Sequence, residues 1–299
     1  MQDVYEEAPV SLRQMEYFVT VVDADSFTRA AEQLHVTQPA LSHQIRALER
    51  HVGGPLLERL PRGVRLTAMG RAFLPHAELA VRSAAQAQRA ARAAAGAEGG
   101  EIHVAAVHSV AAGLLAPAFA RWRRAHPGVR LVLREYARDE DLDDAMERGV
   151  ADLAVGHGGD GAAARAVIGE EEVVVVLPPG DPLAGGGPVP LAALAGRDWV
   201  RCAMEPVVGG RPFIDLACER AGFVPRGAVR TEHTTTAVAM AAAGAGVAAV
   251  PSYAVPPGTP AVPLTPPWRR PLHAWGRTAF PAPVAGLVSQ LAGGTTAAP

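Results

Sequence analysis

The side chains best placed to do chemistry lie early in the chain, in SFTRAAEQLHVTQPALSHQIRALE, residues 26–49. Within this run Thr37, Gln38, Pro39, Ser42, His43 and Arg46 bring amide, hydroxyl and cationic groups to one predicted helix. Amide and guanidinium groups at such spacing hydrogen-bond base edges, while hydroxyls, cations and helix-end N–H groups hold phosphates. A little farther on, Arg62 lies in the turn Pro61-Arg62-Gly63 and Arg65 just after it, where they can reach a neighbouring minor groove or the backbone. The chemistry implied is recognition of double-stranded DNA. An ordinary helical hairpin with a solvated polar face is the rival, and periodicity alone does not separate the two.

A second set of groups falls where strands pass into helices. AAVHSVAAGLL puts Ser109 and Val110 at one such junction, and RTEHTTTAVAM puts Thr234 and Thr235 at another. Hydroxyls beside uncapped helix N–H groups suit a carboxylate or other anion. Gly156 or His157 on one side, and Cys202 with Met204 on the other, end strands that could border the same cleft. Arg138 and Arg211 could supply charge to it. Each hydroxyl can equally be a plain N-cap, and each arginine part of a solvated surface.

Catalytic and metal chemistry find no such support. No nucleophile elbow, phosphate-binding loop or metal-binding helix motif occurs, so no enzyme, cofactor or metal is expected. His103 and His108 fall on opposite faces of a strand and cannot share an ion. Cys202 and Cys218 are too few for a disulfide scaffold, and two semi-buried thiols are favoured over a redox pair.

These groups need elements to hold them. Leu12, Met15, Phe18, Val19 and Val22 recur at helical spacing and predict a first helix ending near Asp23. Ser26 caps a second that buries Phe27, Ala30, Ala31 and Leu34. Thr37 caps a third, with Leu41, Ile45 and Leu48 as the buried stripe and Pro39, Ser42, His43, Arg46 and Arg50 on the opposite arc. LLERLPRGVRLT predicts a short hairpin, a wing, and Thr67 caps a long alanine-rich helix to about Ala95. From Glu101 strands alternate with helices, which predicts parallel sheets covered on both faces, in two units.

In order, LRQMEYFVTV, SFTRAAEQLHVTQPALSHQIRALE, LLER and GVRLTAMGRAF resemble the DNA-binding end of LysR-type transcriptional regulators over residues 11–74. PAFARWRRAHPGVRL, ERGVADLAVG, LACERAGFVPR and VAMAAAGAGVAAVP more loosely resemble the family's effector-binding domain over about 101–291. The resemblance implies that Gln38, Pro39, Ser42 and Arg46 face DNA, with Arg62 at the wing tip. It also implies a small-molecule effector between the two lobes and a homodimer, assembling further to a homotetramer, through the long helix. His43 stands where the family often carries a basic residue, and Gly54 and Leu57 replace bulkier choices.

The expected fold class is therefore α+β multidomain. An extension, 1–10, precedes a winged helix-turn-helix, 11–66, and a linker or dimerisation helix, 67–96. A two-lobed α/β effector domain resembling periplasmic binding proteins follows at 101–291, with lobe one at about 101–165 and 268–291 and lobe two at about 166–267. Residues 292–299 are expected to be a disordered tail. The net charge of −2 conceals eleven arginines against seven acids between Ser11 and Ala95, and the chain has no lysine. An acidic N-terminus and the lack of any long apolar run predict a cytoplasmic protein with no membrane partner. The function expected is DNA-binding transcriptional regulation modulated by a small effector, anionic if the hydroxyl pattern holds. A small-molecule binding or transport protein with an N-terminal interaction module is the alternative.

Overall fold

A computed structural model of the chain describes residues 10–60, 63–94, 100–202, 207–208 and 211–294. The chain divides into two compact units, Met1–Arg92 with Glu147–Val150, and Ala93–Met146 with Ala151–Pro299.

The first unit contains α1 (Leu12–Ala24), α2 (Phe27–Gln33), α3 (Gln38–Val52), the hairpin β1 (Leu57–Arg59) and β2 (Val64–Leu66), and α4 (Ala68–Ala94). Local chemistry sets each start. Ser11 and Gln14 form a reciprocal capping box on α1, Ser26 accepts from Arg29 N–H at α2, and Thr37 accepts from Ala40 N–H at α3. Gly53 ends α3 at φ +86°, a conformation that favours glycine. Phe18, Val21, Leu41, Ile45 and Leu48 are buried together, and Phe73 of α4 meets Phe18 edge-on at 5.5 Å.

The second unit opens with β3 (Gly100–Val107), which runs into a helical stretch made of α5 (His108–Val110), a π-turn (Ala111–Leu115) and α6 (Ala116–Ala125). β4 (Val129–Tyr136), α7 (Asp139–Glu147), β5 (Leu153–Gly156) and β6 (Ala164–Val176) follow. Next come β7 (Val189–Pro190), a 3-10 turn (Leu191–Leu194), β8 (Asp198–Cys202), β9 (Val207–Val208), β10 (Arg211–Pro212) and α8 (Phe213–Arg220). β11 (Arg226–Thr231), α9 (Thr234–Ala242), β12 (Ala248–Pro251), a 3-10 turn (Ser252–Ala254), β13 (Ala261–Gly276) and α10 (Ala282–Gly294) complete it.

The main sheet runs β12-β6-β13-β5-β3-β4, with β7 beside β13. β4, β3 and β5 are parallel, and so are β8 and β11 in a separate pair. The expectation of parallel sheets fails at β6 and β13. These strands pair with each other antiparallel from Ala164–Gly276 to Val176–Ala261, and β13 also runs antiparallel to β5. They pass through the expected lobe boundaries at 165 and 268, so both lobes share two continuous strands. Their pairing shifts between Pro263 and Trp268, where Pro266 and Pro267 lack the N–H a ladder needs. One apolar core fills lobe one around Trp122, Leu142 and Trp275. Two more lie in lobe two, around Trp199 and Ile214 and around Val238 and Val250.

One boundary differs from expectation. α10 runs to Gly294, past 291, because buried Leu287 and Leu291 hold its last turns to the core. Residues 1–9, 61–62, 95–99 and 295–299 lie outside the described residues, and so do Arg62 and most of the expected tail. Among the described residues, no helix is long and apolar enough to cross a membrane.

Candidate functional site

On α3 the predicted stripe is buried: Leu41 and Leu48 are fully covered and Ile45 nearly so. Thr37, Pro39, His43, Arg46 and Arg50 are exposed and Gln38 is half-buried. Ser42 is the exception, since it is buried and does not share their surface. On a 3.6-residue helix it sits roughly 100° from Leu41, at the edge of the buried stripe. The basic residues Arg50 and His51 occupy the last turn, where they complement the helix dipole.

The wing is tied to the helices from both ends. Glu49 Oε1 accepts from the N–H groups of Leu56 and Leu57, at 2.9 and 3.2 Å. Asp25 Oδ1 accepts from Val64 N–H at 2.8 Å. Gly63 beside it has φ +90°, and a Cβ there would lie 2.6 Å from the same carboxylate oxygen. Arg65 is exposed but engaged: its Nε lies 3.0 Å from Glu58, its cross-strand partner. Its guanidinium therefore has to leave or share that carboxylate before it can contact a phosphate.

In the second unit a cavity of about 270 Å³ opens between the lobes. Of the predicted residues, Ser109, His157, Cys202 and Thr234 line it. Val110, Gly156 and Thr235 do not. Val110 points into the lobe-one core with no exposure, and Thr235 is turned outward on α9. Gly156 is packed behind Asp139, whose Oδ1 would collide with a Cβ at this position. Arg138 lines the cavity but is paired with Asp141 at 3.0 Å, while Arg211 pairs with Glu219 and does not line it. Met204 lies outside the described residues.

Sequence reasoning offered His157 but missed the buried polar cluster behind it. Glu171 on β6 is fully buried and lies opposite Arg270 of β13 in register. Its Oε1 accepts from Arg270 Nε at 2.8 Å, and its Oε2 accepts from Tyr253 O–H at 2.5 Å. His157 Nε2 stands 3.3 Å from the same Oε2, and its Nδ1 lies 3.3 Å from Asp139 Oδ2. Burial works against the charged forms here, yet the partners win. Glu171 is held down at about 2 by His157, Arg270 and Tyr253, and His157 is raised by Asp139 and Glu171. Burial, followed by the charge of Glu171, pushes Tyr253 well above the usual phenol range. Triple acidity at 170–172 marks β6 in the sequence, but nothing there tells which of the three turns inward.

The rest of the lining is mostly apolar, with Val173, Ile214, Pro251 and Trp268 as its walls. α9 starts without a side-chain cap, which leaves its first-turn N–H groups for another acceptor. Buried Thr234 stands there, 3.9 Å from Cys202 Sγ, whose thiol approaches the Glu232 carbonyl at 3.6 Å. Among the described residues, no group of three His, Cys, Asp or Glu could hold a metal ion.

Two family descriptions match the chain. Residues 12–71 match "Bacterial regulatory helix-turn-helix protein, lysR family", and residues 95–290 match "LysR substrate binding domain". A probable cat1 operon transcriptional activator of Acinetobacter lwoffii is 32% identical over 248 residues, 82% of either chain. The transcriptional regulator AlsR of Bacillus subtilis is 30% identical over 255 residues, also 82% of either. Among solved structures, a full-length OxyR variant from Pseudomonas aeruginosa superposes with a TM-score of 0.70 at 25% identity, covering 95% of both chains.

Proposed function

The chain belongs to the LysR family of transcriptional regulators, DNA-binding proteins with an effector-binding domain, and on that premise we propose which residues do the work. The N-terminal turn of α3 enters the major groove, with Gln38 and Arg46 toward base edges or phosphates and Thr37, Pro39 and His43 completing the contact surface. The wing, with Arg62 and Arg65, reaches the adjoining backbone or minor groove. Ser42 acts from beneath this surface, by packing. The observation that carries the reading is the split of α3 into a buried Leu41–Ile45–Leu48 stripe and an exposed polar arc.

α4 pairs with its counterpart in a second copy, and the homodimer associates to a homotetramer that binds an interrupted two-fold site. Its 27-residue length and alanine-rich face support close helix approach. The protein works in the cytoplasm, the compartment that holds its DNA.

The effector binds in the cleft between the lobes, with an acid group at the start of α9 beside Thr234 and its apolar body against Trp268 and Ile214. Binding shifts lobe closure about β6 and β13, and the shift has to come from unequal affinity for the two lobe arrangements. Mobility-shift titration on the DNA upstream of the chain's own gene tests the first part: Gln38→Ala with Arg46→Ala abolishes specific binding. Thermal-shift screening of small organic acids tests the second, with stabilisation lost in Thr234→Val.

A further inference from the structure

Among the described residues the cleft is lined by three cationic side chains, and each already faces an acid of the same unit. Arg138 is held by Asp141 at 3.0 Å and by Glu140 at 3.3 Å. His157 lies between Asp139 and Glu171, both at 3.3 Å. Arg270 gives its Nε to Glu171 at 2.8 Å. Even with His157 protonated, three positive charges meet the four carboxylates of Asp139, Glu140, Asp141 and Glu171. Among the described lining residues, no cation is left over for a ligand.

Glu171 decides this balance. Its carboxylate is inside the protein, with no side-chain exposure, and both oxygens are used: Oε1 by Arg270 and Oε2 by Tyr253, with His157 Nε2 3.3 Å from Oε2. It occupies the position on Arg270 and His157 that a ligand carboxylate would otherwise take. From this geometry we propose that Glu171 is a built-in counter-anion that restricts the cleft to effectors with a single negative charge. This inference rests on the reading of the cleft as the effector site. The one acid group the site accepts is held by the uncapped start of α9 and Thr234, which bring dipole and hydrogen bonds but no net charge. The remainder of the ligand meets Val173, Ile214, Pro251 and Trp268 and is apolar. A second carboxylate would be desolvated beside Glu171 with no cation to meet it, and like charges in such a place are strongly disfavoured.

The test pairs straight-chain monocarboxylates of four to seven carbons with the α,ω-dicarboxylates of equal length, by calorimetric titration of the full-length protein. Using several lengths keeps spacer reach from deciding the result. Wild type is expected to bind the monocarboxylates at least about tenfold more tightly than the matched dicarboxylates. Glu171→Gln, which keeps the shape and removes the charge, is expected to raise dicarboxylate affinity about tenfold or more and to reverse the preference for at least one length. A role confined to holding the strands together would weaken both series alike. Equal or tighter dicarboxylate binding by wild type overturns the proposal without any variant, so a misfolded E171Q does not shelter it. A folded E171Q with unchanged selectivity overturns it as well. If neither series binds wild type, the acid anchor at α9 fails first, which is a failure of the cleft reading and not of Glu171 alone.

Discussion

Glu171 and Arg270 face each other in register on the two strands that both lobes share, with Arg270 Nε 2.8 Å from Glu171 Oε1. A buried ion pair placed there joins the crossing strands at the level of the cleft. Removing one partner strands the other charge in a dry site. Glu171→Ala or Arg270→Ala is therefore expected to destabilise the effector domain by about 3–5 kcal/mol, measured by chemical denaturation. A loss within about 1 kcal/mol, as for an exposed pair, would show that water reaches the cluster.

The same cluster sets a pH window. Glu171 is lowered to about 2 from 4.5, so its contribution is complete above about 4.5 and is lost as pH falls toward 2. His157 is raised from 6.5, so its contribution is complete below 6.5 and is lost as pH rises through its folded value. The stabilisation from the cluster is therefore largest between roughly pH 4.5 and 6.5. Melting temperatures of wild type and His157→Gln, compared across this range and up to about pH 9, are expected to converge at the alkaline end. A constant gap between them would contradict the assignment.

In the first unit, Gly63 and Asp25 fix the wing. Gly63→Ala places a side chain at φ +90° and against the Asp25 carboxylate, at a cost of about 1–2 kcal/mol for the backbone alone. Asp25→Ala removes the acceptor for Val64 N–H and costs about 1 kcal/mol. Both are expected to weaken DNA binding several-fold while leaving ligand-induced stabilisation of the effector domain unchanged. Equal damage to both readouts would mean global unfolding.

Tyr253 also packs against the π-turn of lobe one, where a Cβ on Gly113 would collide with its ring. Gly113→Ala has to push Tyr253 away from Glu171, whose carboxylate accepts its hydroxyl. An overpacking cost of about 1–3 kcal/mol is expected, together with weaker effector binding. Unchanged binding would indicate that Tyr253 has room to move.

The helices of the first unit are legible in the sequence because their signals are local. Ser26 and Thr37 announce helix starts by their own side chains, and the Leu41–Ile45–Leu48 stripe follows from spacing alone. Ser42 departs from its expected arc because its burial depends on what packs beside the stripe edge. The cleft is half legible for the same reason. Ser109, Cys202 and Thr234 sit at strand–helix junctions that sequence order reveals, whereas Glu171 and Arg270 are 99 residues apart and meet only through strand register. Gly156 ends its strand where a ligand-facing residue could stand, but it is small to admit Asp139. The antiparallel run of β6 and β13 is hidden because an apolar strand does not state its direction.

Whether the exposed arc of α3 reads DNA is measured most directly by fluorescence anisotropy on the DNA upstream of the chain's own gene, at several salt concentrations. Wild type is expected to bind specifically, with log affinity falling linearly against log salt. Arg46→Ala is expected to cost about 1–3 kcal/mol and to flatten the slope by about one if it holds a phosphate, or to relax base preference at an unchanged slope if it reads a base. Binding by Arg46→Ala and Gln38→Ala indistinguishable from wild type, at every salt concentration, would contradict a DNA-reading role for α3.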